Sequence, residues 1–420
     1  KDKYAITYQY ITVQNLSKDN IIKKLNRYKN DNYNNINNVR NRQHNRHGIN
    51  IGLDFGAIQI GKYFKSNVSK ALNLGDLNGN KFEIILRQVH KRCRDTNSSS
   101  ATHTKINFNA LHEMNECIRN NGFINYFGLQ RLGKYYHADS PRSYNIGAAM
   151  LQQNWGEAVN LLLMPRIGEN YPATAAKLYY QKTKDAKETI NKMPQYLHHE
   201  RCVLKGLNRF GKTAYLQSFK EIPYNNRLMY AHAFQSFLWN HMASKRWEQY
   251  QKSRDDINSN KNHCFEIGDL IKSRTLELSD QGGKYIEITA ENYDSIIAAN
   301  DRHGIMYNVY DIVIPLPGLL TERYIRENKI YSKLVNDLLV SFGLTWDTAF
   351  RRGVCTLKGA YRMFLSKPIN FESSVVDDST LKLEFELTTS SYATVLLREF
   401  MRNDMVMACE TEYKDWTECL

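Results

Sequence analysis

The sequence lacks several patterns that mark common classes of protein. It has no uninterrupted apolar run of about 18 residues, so no transmembrane helix is expected. The opening residues, KDKYAITYQ, lack the apolar segment of a signal peptide. Seven cysteines occur without a CxxC pair, and no short His–Cys cluster has a second half nearby, so no metal site is expected. These absences predict reduced thiols and residence in the cytoplasm or the nucleus, away from membranes.

The charge and the aromatic content favour a polyanionic partner that carries flat bases. Lys and Arg number 57 against 43 Asp and Glu, giving a net charge of +14 over 420 residues, and 27 residues are Tyr. Phosphates attract cations, and unstacked bases stack on aromatic rings. The composition therefore favours RNA, although a basic surface that only aids solubility would give the same counts.

The spacing of apolar residues predicts a mixture of strands and helices. Alternation predicts strands over residues 1–16, 81–87, 310–314 and 381–387, the third of them stopped by the prolines of IPLPG. Helical spacing predicts helices over 107–121, 146–163, 171–192, 228–250 and 393–401. In the fourth helix one face is predicted to be core: Tyr230, Phe234, Phe237, Leu238 and Met242.

Residues 26–50 form a low-complexity insertion that contains ten Asn among Lys, Arg and Tyr. Such a segment has little apolar surface to bury, so we interpret it as a solvated loop rather than an RNA contact.

Residues 206–213, GLNRFGKT, match the phosphate-binding pattern G-x4-G-K-T. A working P-loop needs a buried strand before it, so that backbone N–H groups at a helix start can cradle phosphates. The preceding YLHHERCVLK offers an apolar run of only three residues. We therefore keep a nucleotidase that uses Lys212 and Thr213 only as an alternative.

The segment Gly122–Gly133, GFINYFGLQRLG, places aromatic, amide and guanidinium side chains between three glycines. Glycines let a backbone approach a ligand closely. Rings, amides and guanidinium groups are what recognition of a splayed-out base requires. By itself such a turn is more typical of packing than of base recognition.

Further segments favour base recognition when they are taken together with this one. They are KDKYAITYQ (1–9), NLGDLNGNKFEIILR (73–87), IPYNNRLMYAHAFQSFLWN (222–240), IPLPG (314–318), LKGAYRMFLSKP (357–368) and FELTTSSYATVLLRE (385–399). In combination and in order they resemble the TruD-type pseudouridine synthase family, on its eukaryotic branch. The resemblance spans nearly the whole chain.

The resemblance implies the residues of an active site. Asp2 matches the family's catalytic Asp, and Asn125 and Phe127 match its active-site Asn and Phe. Tyr392 matches an active-site aromatic that is Phe in some members, and Ser390 stands where the family usually has Gly. Phe127 and Tyr392 would form the walls of a uracil pocket, with Asn125 bonded to Asp2 or to the uracil edge. The expected RNA-binding cations are Lys1, Lys3 and Arg131.

The resemblance also implies an α+β fold. Residues 1–133 and 352–420 would form a catalytic domain built on a mixed, largely antiparallel sheet. Residues 134–351 would form an inserted, helix-rich α+β TRUD domain. RNA would lie in the cleft between the two domains, and the chain is expected to act as a monomer.

The implied reaction breaks the N1–C1′ bond of uridine, rotates the uracil and joins C5 to C1′. No atom enters or leaves and no redox change occurs, so no cofactor or metal is expected. An aspartate ionised at neutral pH is required, and whether Asp2 attacks C1′ or removes a sugar proton stays open. The expected substrate is tRNA, with mRNA and small nuclear RNA as further candidates. The alternative is a non-catalytic RNA-binding or chaperone protein that uses the same cleft.

Overall fold

The computed structural model describes residues 6–7, 78–87, 89, 108–133, 140–166, 168–255, 265–273, 285–296, 307–351 and 355–401. The chain divides into two compact units, residues 7–80 and residues 1–6 with 81–420. Nearly all described residues belong to the larger unit. Lys1, Asp2, Lys3 and the Asn-rich segment 26–50 lie outside the described residues.

The described strands form three sheets. They are β1 (Ile6–Thr7), β2 (Gly79–Leu86), β3 (Phe123–Ile124), β4 (Leu270–Lys272), β5 (Tyr285–Glu287), β6 (Ile312–Leu316), β7 (Ala360–Met363), β8 (Leu365–Ser366), β9 (Ile369–Asp377) and β10 (Thr380–Thr388). The strand orders are β1-β2-β10-β9, β3-β8 and β5-β4-β6-β7. Every pair with a described register is antiparallel.

The described helices dominate the middle of the chain. They are α1 (Phe108–Asn121), α2 (Leu129–Leu132), α3 (Ser143–Leu151), α4 (Trp155–Leu162), α5 (Tyr171–Thr183), α6 (Ala186–Lys192), α7 (His198–Phe210), α8 (Tyr215–Lys220), α9 (Tyr224–Asp255), α10 (Glu322–Glu327), α11 (Ser332–Ser341) and α12 (Ala393–Met401). A 3-10 turn (Val309–Asp311) and a π-helical turn (Asp347–Arg351) complete the set. Helices and antiparallel sheets together confirm the α+β class. None of the helices described here is long and apolar enough to cross a membrane.

Two predicted helices are each divided in two by a residue with positive φ. The helix predicted over 146–163 breaks at Gln153 (φ 60°), after which the Asn154 side chain caps α4 by accepting from the Glu157 amide. The helix predicted over 171–192 breaks at Lys184 (φ 53°), and Asp185 caps α6 in the same way. Asn and Asp compete locally for backbone N–H groups, so they start new helices even where apolar spacing continues.

The strand predicted over 310–314 is displaced toward the C-terminus. Residues 309–311 form the 3-10 turn, and β6 continues through Pro315, which pairs with Tyr361 of β7. Pro315 therefore does not stop the strand as expected, whereas the strand does end directly before Pro317. A proline is compatible with a strand wherever its missing N–H is not required by the ladder.

Two hydrophobic cores hold the described part of the chain together. The larger core joins α3–α9 to the β4–β6 sheet and includes the predicted face of α9, of which Phe237 is only partly buried. The buried residues of the smaller core lie within 111–123 and 371–400, and Phe82, Ile84 and Leu86 of β2 pack against them. In it, α1 packs on β9, where the Asn115 amide donates to the Ser373 hydroxyl (2.8 Å) and Arg119 donates to the Phe371 carbonyl (2.9 Å).

Residues 206–213 do not form a P-loop. They continue α7, a helix rather than a strand, and end it at Gly211 with φ +110°. Gly206 lies within the helix, where a Cβ would meet the Cα of Ser218 at 2.4 Å. The segment therefore packs helix on helix, and its match to the P-loop pattern in letters does not correspond to a P-loop in structure.

Candidate active site

The aromatic loop of the Gly122–Gly133 segment is held at the end of β3. Gly122 has φ +61°, and a Cβ there would lie 2.2 Å from the Ser366 carbonyl oxygen, so only glycine fits without a shift. Strand β3 then pairs with β8, and the backbone N–H of Asn125 donates to the Phe364 carbonyl (2.9 Å). These contacts bring the loop beside the end of β7.

Arg362, on β7, is the centre of the site. Its guanidinium donates to the backbone carbonyl of Asn125 (2.8 Å), to the side-chain carbonyl of the same residue (2.9 Å) and to the Tyr126 carbonyl (3.3 Å). It also donates to the carbonyl of Ser390, just before α12. One planar cation therefore joins the aromatic loop to the junction between β10 and α12.

Three aromatic rings surround this guanidinium. Its carbon lies 4.0 Å from the ring centre of Phe127, 5.1 Å from that of Trp239 and 5.8 Å from that of Tyr392. The Phe127 ring meets the other two edge to face, with centroid distances of 5.5 Å to Trp239 and 6.1 Å to Tyr392. Cation–π attraction and edge contacts fix the three rings relative to one another. We call this cluster of Arg362, Phe127, Trp239 and Tyr392 the aromatic pocket.

Helix α9 clamps the loop from the other side. The Asn240 side chain accepts from the Phe127 amide (2.9 Å) and donates to the Phe127 carbonyl (3.0 Å). The Trp239 indole donates to the Ile314 carbonyl of β6 (3.0 Å), and the Tyr126 hydroxyl bonds to that of Ser244 (2.9 Å). Both polar groups of the Phe127 backbone are thereby paired with the helix, which holds that ring in place.

The aromatic pocket is electropositive. Arg362 is 7% exposed, and among the described residues no carboxylate lies within 4.0 Å of its guanidinium. Burial lowers the pKa of Arg362 to about 10, and the charge of Arg131 acts in the same direction. The group still carries a full charge at neutral pH, and a buried cation without an anion favours binding one.

Few polar groups of the pocket are left to contact a ligand. The side-chain amide of buried Asn125 already accepts from Arg362 and donates to the Met363 carbonyl (3.2 Å). One N–H and one oxygen lone pair of that amide are left. The buried Thr394 hydroxyl has no hydrogen-bond partner within the described part of the chain. It lies 3.1 Å from the position of a Cβ on Gly128, beside the Tyr392 ring.

Comparison with known proteins decides the family. The family model of tRNA pseudouridine synthase D (TruD) matches residues 1–400 of this chain. The chain belongs to the TruD family. Human pseudouridylate synthase PUS7L is 28% identical over 96% of this chain, and human pseudouridylate synthase 7 homolog is 29% identical over 81%. The chain spans only about half of these two curated relatives, 52% and 48% of their lengths.

A solved TruD structure supports the same fold. The TruD protein of Methanosarcina mazei superposes with a TM-score of 0.53 at 25% identity, over 80% of this chain and 71% of that one.

A further relative matches by sequence. Multisubstrate pseudouridine synthase 7 of Schizosaccharomyces pombe is 28% identical over 82% of this chain and 51% of its own length. The identification made from the sequence motifs is therefore confirmed.

The TruD motifs converge in the structure. Asn125 and Phe127 from one motif and Tyr392 from another lie around one guanidinium. The charge of half-buried Arg131 on α2 contributes to lowering the pKa of that guanidinium. Asp2, Lys1 and Lys3 are outside the described residues, so their roles stay predictions.

Sequence reasoning did not single out three residues of the site, two of them in the aromatic pocket and one that holds the Phe127 backbone. Arg362 lies within LKGAYRMFLSKP, and Trp239 and Asn240 lie within the FLWN of α9, so each was quoted only as part of a TruD motif. A signal for Arg362 did exist, because an arginine in an otherwise apolar strand needs acceptors. The sequence alone could not identify them.

Proposed function

We propose that this chain isomerises uridine to pseudouridine in RNA, with tRNA as the first substrate to test and mRNA and small nuclear RNA as further ones. The observation that carries the proposal is the aromatic pocket, in which side chains from three TruD motifs meet around Arg362. Membership of the TruD family supports the reaction, and the net charge of +14 supports an RNA partner.

The pocket is suited to a base that has left its stack. Extrusion of a nucleotide costs a few kcal/mol, and stacking on an aromatic face returns roughly 1–3 kcal/mol. Phe127 and Tyr392 provide the rings, whereas Asn125 and Thr394 retain hydrogen-bonding capacity for the polar edge of uracil. No cofactor takes part in the proposed reaction, because its atoms and electrons balance without one.

Asp2 is the proposed catalytic residue, on the strength of its place in the KDKYAITYQ motif. A positive pocket favours an ionised carboxylate or a substrate phosphate, since either neutralises a buried cation. Lys1, Lys3 and Arg131 are proposed to contact RNA phosphates. We place the enzyme in the nucleus or the cytoplasm, acting as a monomer.

The proposed domain division follows the TruD resemblance. Residues 1–133 and 352–420 form the catalytic domain, and residues 134–351 form the inserted TRUD domain. The smaller hydrophobic core supports this division, because it joins residues 111–123 to residues 371–400 and includes none of the described residues between 124 and 370.

The proposal is tested by incubating the purified protein with an unmodified tRNA transcript, without added metal or nucleotide, and measuring pseudouridine. We expect conversion by the wild type and none by Asp2→Asn, with equal tRNA affinity. Asp337→Asn, which changes an exposed carboxylate of α11, is the matched control and should convert normally. If wild-type protein binds a broad RNA pool without converting uridine, the non-catalytic RNA-binding alternative replaces the enzymatic one.

A further inference from the structure

Half of the net charge of the chain lies in 50 residues of the helical region. Residues 171–220 contain ten Lys and Arg against three Asp and Glu, a net charge of +7 out of +14. Lys177 is buried between Glu169 and Glu200, and Arg201 donates to backbone carbonyls. The other eight are exposed: Lys182, Lys184, Lys187, Lys192, Lys205, Arg209, Lys212 and Lys220. A concentration of this kind is the electrostatic pattern of a nucleic-acid surface.

A small cavity lies within this basic region. Its volume is about 210 Å³, and its lining residues are Val159, Asn160, Tyr180, Lys184, Lys212, Thr213 and Tyr215. We call it the two-lysine pocket. It shares no lining residue with the aromatic pocket, and none of its lining residues is acidic.

Backbone geometry brings the two lysines to the ends of their helices. Lys184 ends α5 in the left-handed conformation (φ 53°), with its ammonium 5.2 Å from the Tyr180 ring centre. Lys212 follows Gly211, which ends α7. The neighbouring Asp185 is engaged elsewhere, since its carboxylate accepts from the Glu188 amide at the start of α6 (3.0 Å). The nearest carboxylate in sequence therefore caps a helix.

The chemistry of the lining fits a phosphodiester. Two ammonium groups supply charge, and the hydroxyls of Thr213, Tyr180 and Tyr215 supply neutral donors. A tyrosine hydroxyl is protonated at neutral pH, and burial raises the pKa of Tyr180 further, to about 12. Lys212 and Thr213 end the segment that matches a P-loop in letters. They precede the six-residue α8, but the backbone amides of Ala214 and Tyr215 at its start are already bonded to the carbonyls of Gly211 and Thr213. A P-loop cradles phosphates with free backbone amides at a helix start, so a mononucleotide is the poorer fit.

We propose that the two-lysine pocket binds a backbone phosphate of the RNA, away from the nucleotide that enters the aromatic pocket. The proposal rests on the proposed function only in taking RNA as the partner. Loss of this contact weakens RNA binding without changing the chemistry, so it raises KM and leaves kcat unchanged.

The test uses the variant Lys184→Gln/Lys212→Gln in the full chain and a matched control, Lys329→Gln/Lys333→Gln. The control removes the same charge from two exposed lysines at and before α11. Affinity for an unmodified tRNA transcript is measured at several KCl concentrations, and unchanged thermal unfolding verifies the fold. We expect the pocket variant to bind on the order of tenfold more weakly, with a slope of log K against log salt reduced by about 1. The control should match the wild type in slope.

The possible outcomes separate the explanations. Equal weakening in both variants would mean general attraction by charge, and no weakening in the pocket variant would mean no contact; either result overturns the proposal. AMP or inorganic phosphate is titrated in parallel. If the pocket variant no longer binds AMP or phosphate but keeps its tRNA affinity, the pocket is a small-anion site, and this result also overturns the proposal. If wild type forms no pseudouridine but the slopes differ as expected, the proposed function fails and the phosphate subsite stands.

Discussion

The guanidinium of Arg362 binds Asn125 twice, once through the backbone carbonyl at 2.8 Å and once through the side-chain carbonyl at 2.9 Å. The two residues are 237 positions apart in the sequence. The same guanidinium lies 4.0 Å from the Phe127 ring centre and bonds to the Ser390 carbonyl. Its planar fork therefore sets both the orientation of the Asn125 amide and the position of a pocket wall.

Replacement of Arg362 tests whether activity needs the paired N–H donors of its guanidinium or only its positive charge. Arg362→Lys keeps the charge but loses the paired donors, so we expect kcat for pseudouridine formation to fall at least roughly tenfold. Arg362→Met leaves acceptors on Asn125 and Ser390 without a donor, which should cost about 1–3 kcal/mol of unfolding free energy. Urea unfolding and steady-state kinetics measure the two effects.

The control for these variants is Arg323→Met, which removes an exposed arginine that pairs with Glu327 one turn along α10. Its unfolding free energy should stay within about 0.5 kcal/mol of the wild type. Full activity in Arg362→Lys would show that a point charge suffices and would remove the argument for the fork.

Substitution of Tyr392 tests the role of its ring. Tyr392→Phe keeps the aromatic face and should retain nearly full activity, whereas Tyr392→Ala should lose about 1–3 kcal/mol of stacking, or roughly 5- to 150-fold in kcat/KM. Both variants are assayed on the same tRNA transcript. An equal loss in the two variants would assign the function to the hydroxyl instead of the ring.

Ser390 adopts a conformation that favours glycine. Its φ is +66°, in the left-handed region. Ser390→Gly should therefore raise the unfolding free energy by about 0.5–1 kcal/mol, because relief of backbone strain exceeds the entropy that glycine adds to the unfolded chain. Ser390→Val should lower it. The neighbouring Ser391, which has no positive φ, is the control, and Ser391→Gly should destabilise the protein. Urea unfolding ranks the four proteins, and a Ser390→Gly variant less stable than wild type would contradict the strain.

The stability of the protein should fall as the pH is lowered through the histidine range. Burial lowers the pKa of His199, whose Nδ1 lies 2.7 Å from the Tyr230 hydroxyl. Just below pH 6.5, the unfolded chain therefore binds a proton that the folded chain does not, so unfolding becomes easier as the pH falls. His199→Asn should lose less unfolding free energy than wild type between pH 7.5 and pH 5.5.

Urea unfolding at the two pH values measures this difference. Burial also lowers the pKa of His241, so the pH dependence should shrink in the His199 variant without disappearing. His112→Asn, at an exposed position of α1, is the control. A pH dependence identical in wild type and His199→Asn would refute the assignment.

The spacing of apolar residues predicted most helices and strands. It failed where a polar side chain caps backbone N–H groups and starts a new helix within a stretch of continuous apolar spacing. The helices 107–121 and 393–401 and the strand 381–387 match α1, α12 and β10 to within one residue or so. The breaks at Gln153 and Lys184 were missed because neither is a glycine or proline and the apolar spacing continues across both.

The sequence by itself determined the family and the α+β class, and it predicted Asn125, Phe127 and Tyr392 as site residues, because each of them lies in a motif that is read along the chain. Only the tertiary structure decided that Arg362 joins them, that Trp239 completes the pocket, and that Lys184 and Lys212 line one cavity. The physical reason is that a buried guanidinium must find acceptors wherever packing brings them. Here those acceptors come from segments that are distant in sequence and meet only when the sheets and α9 pack together.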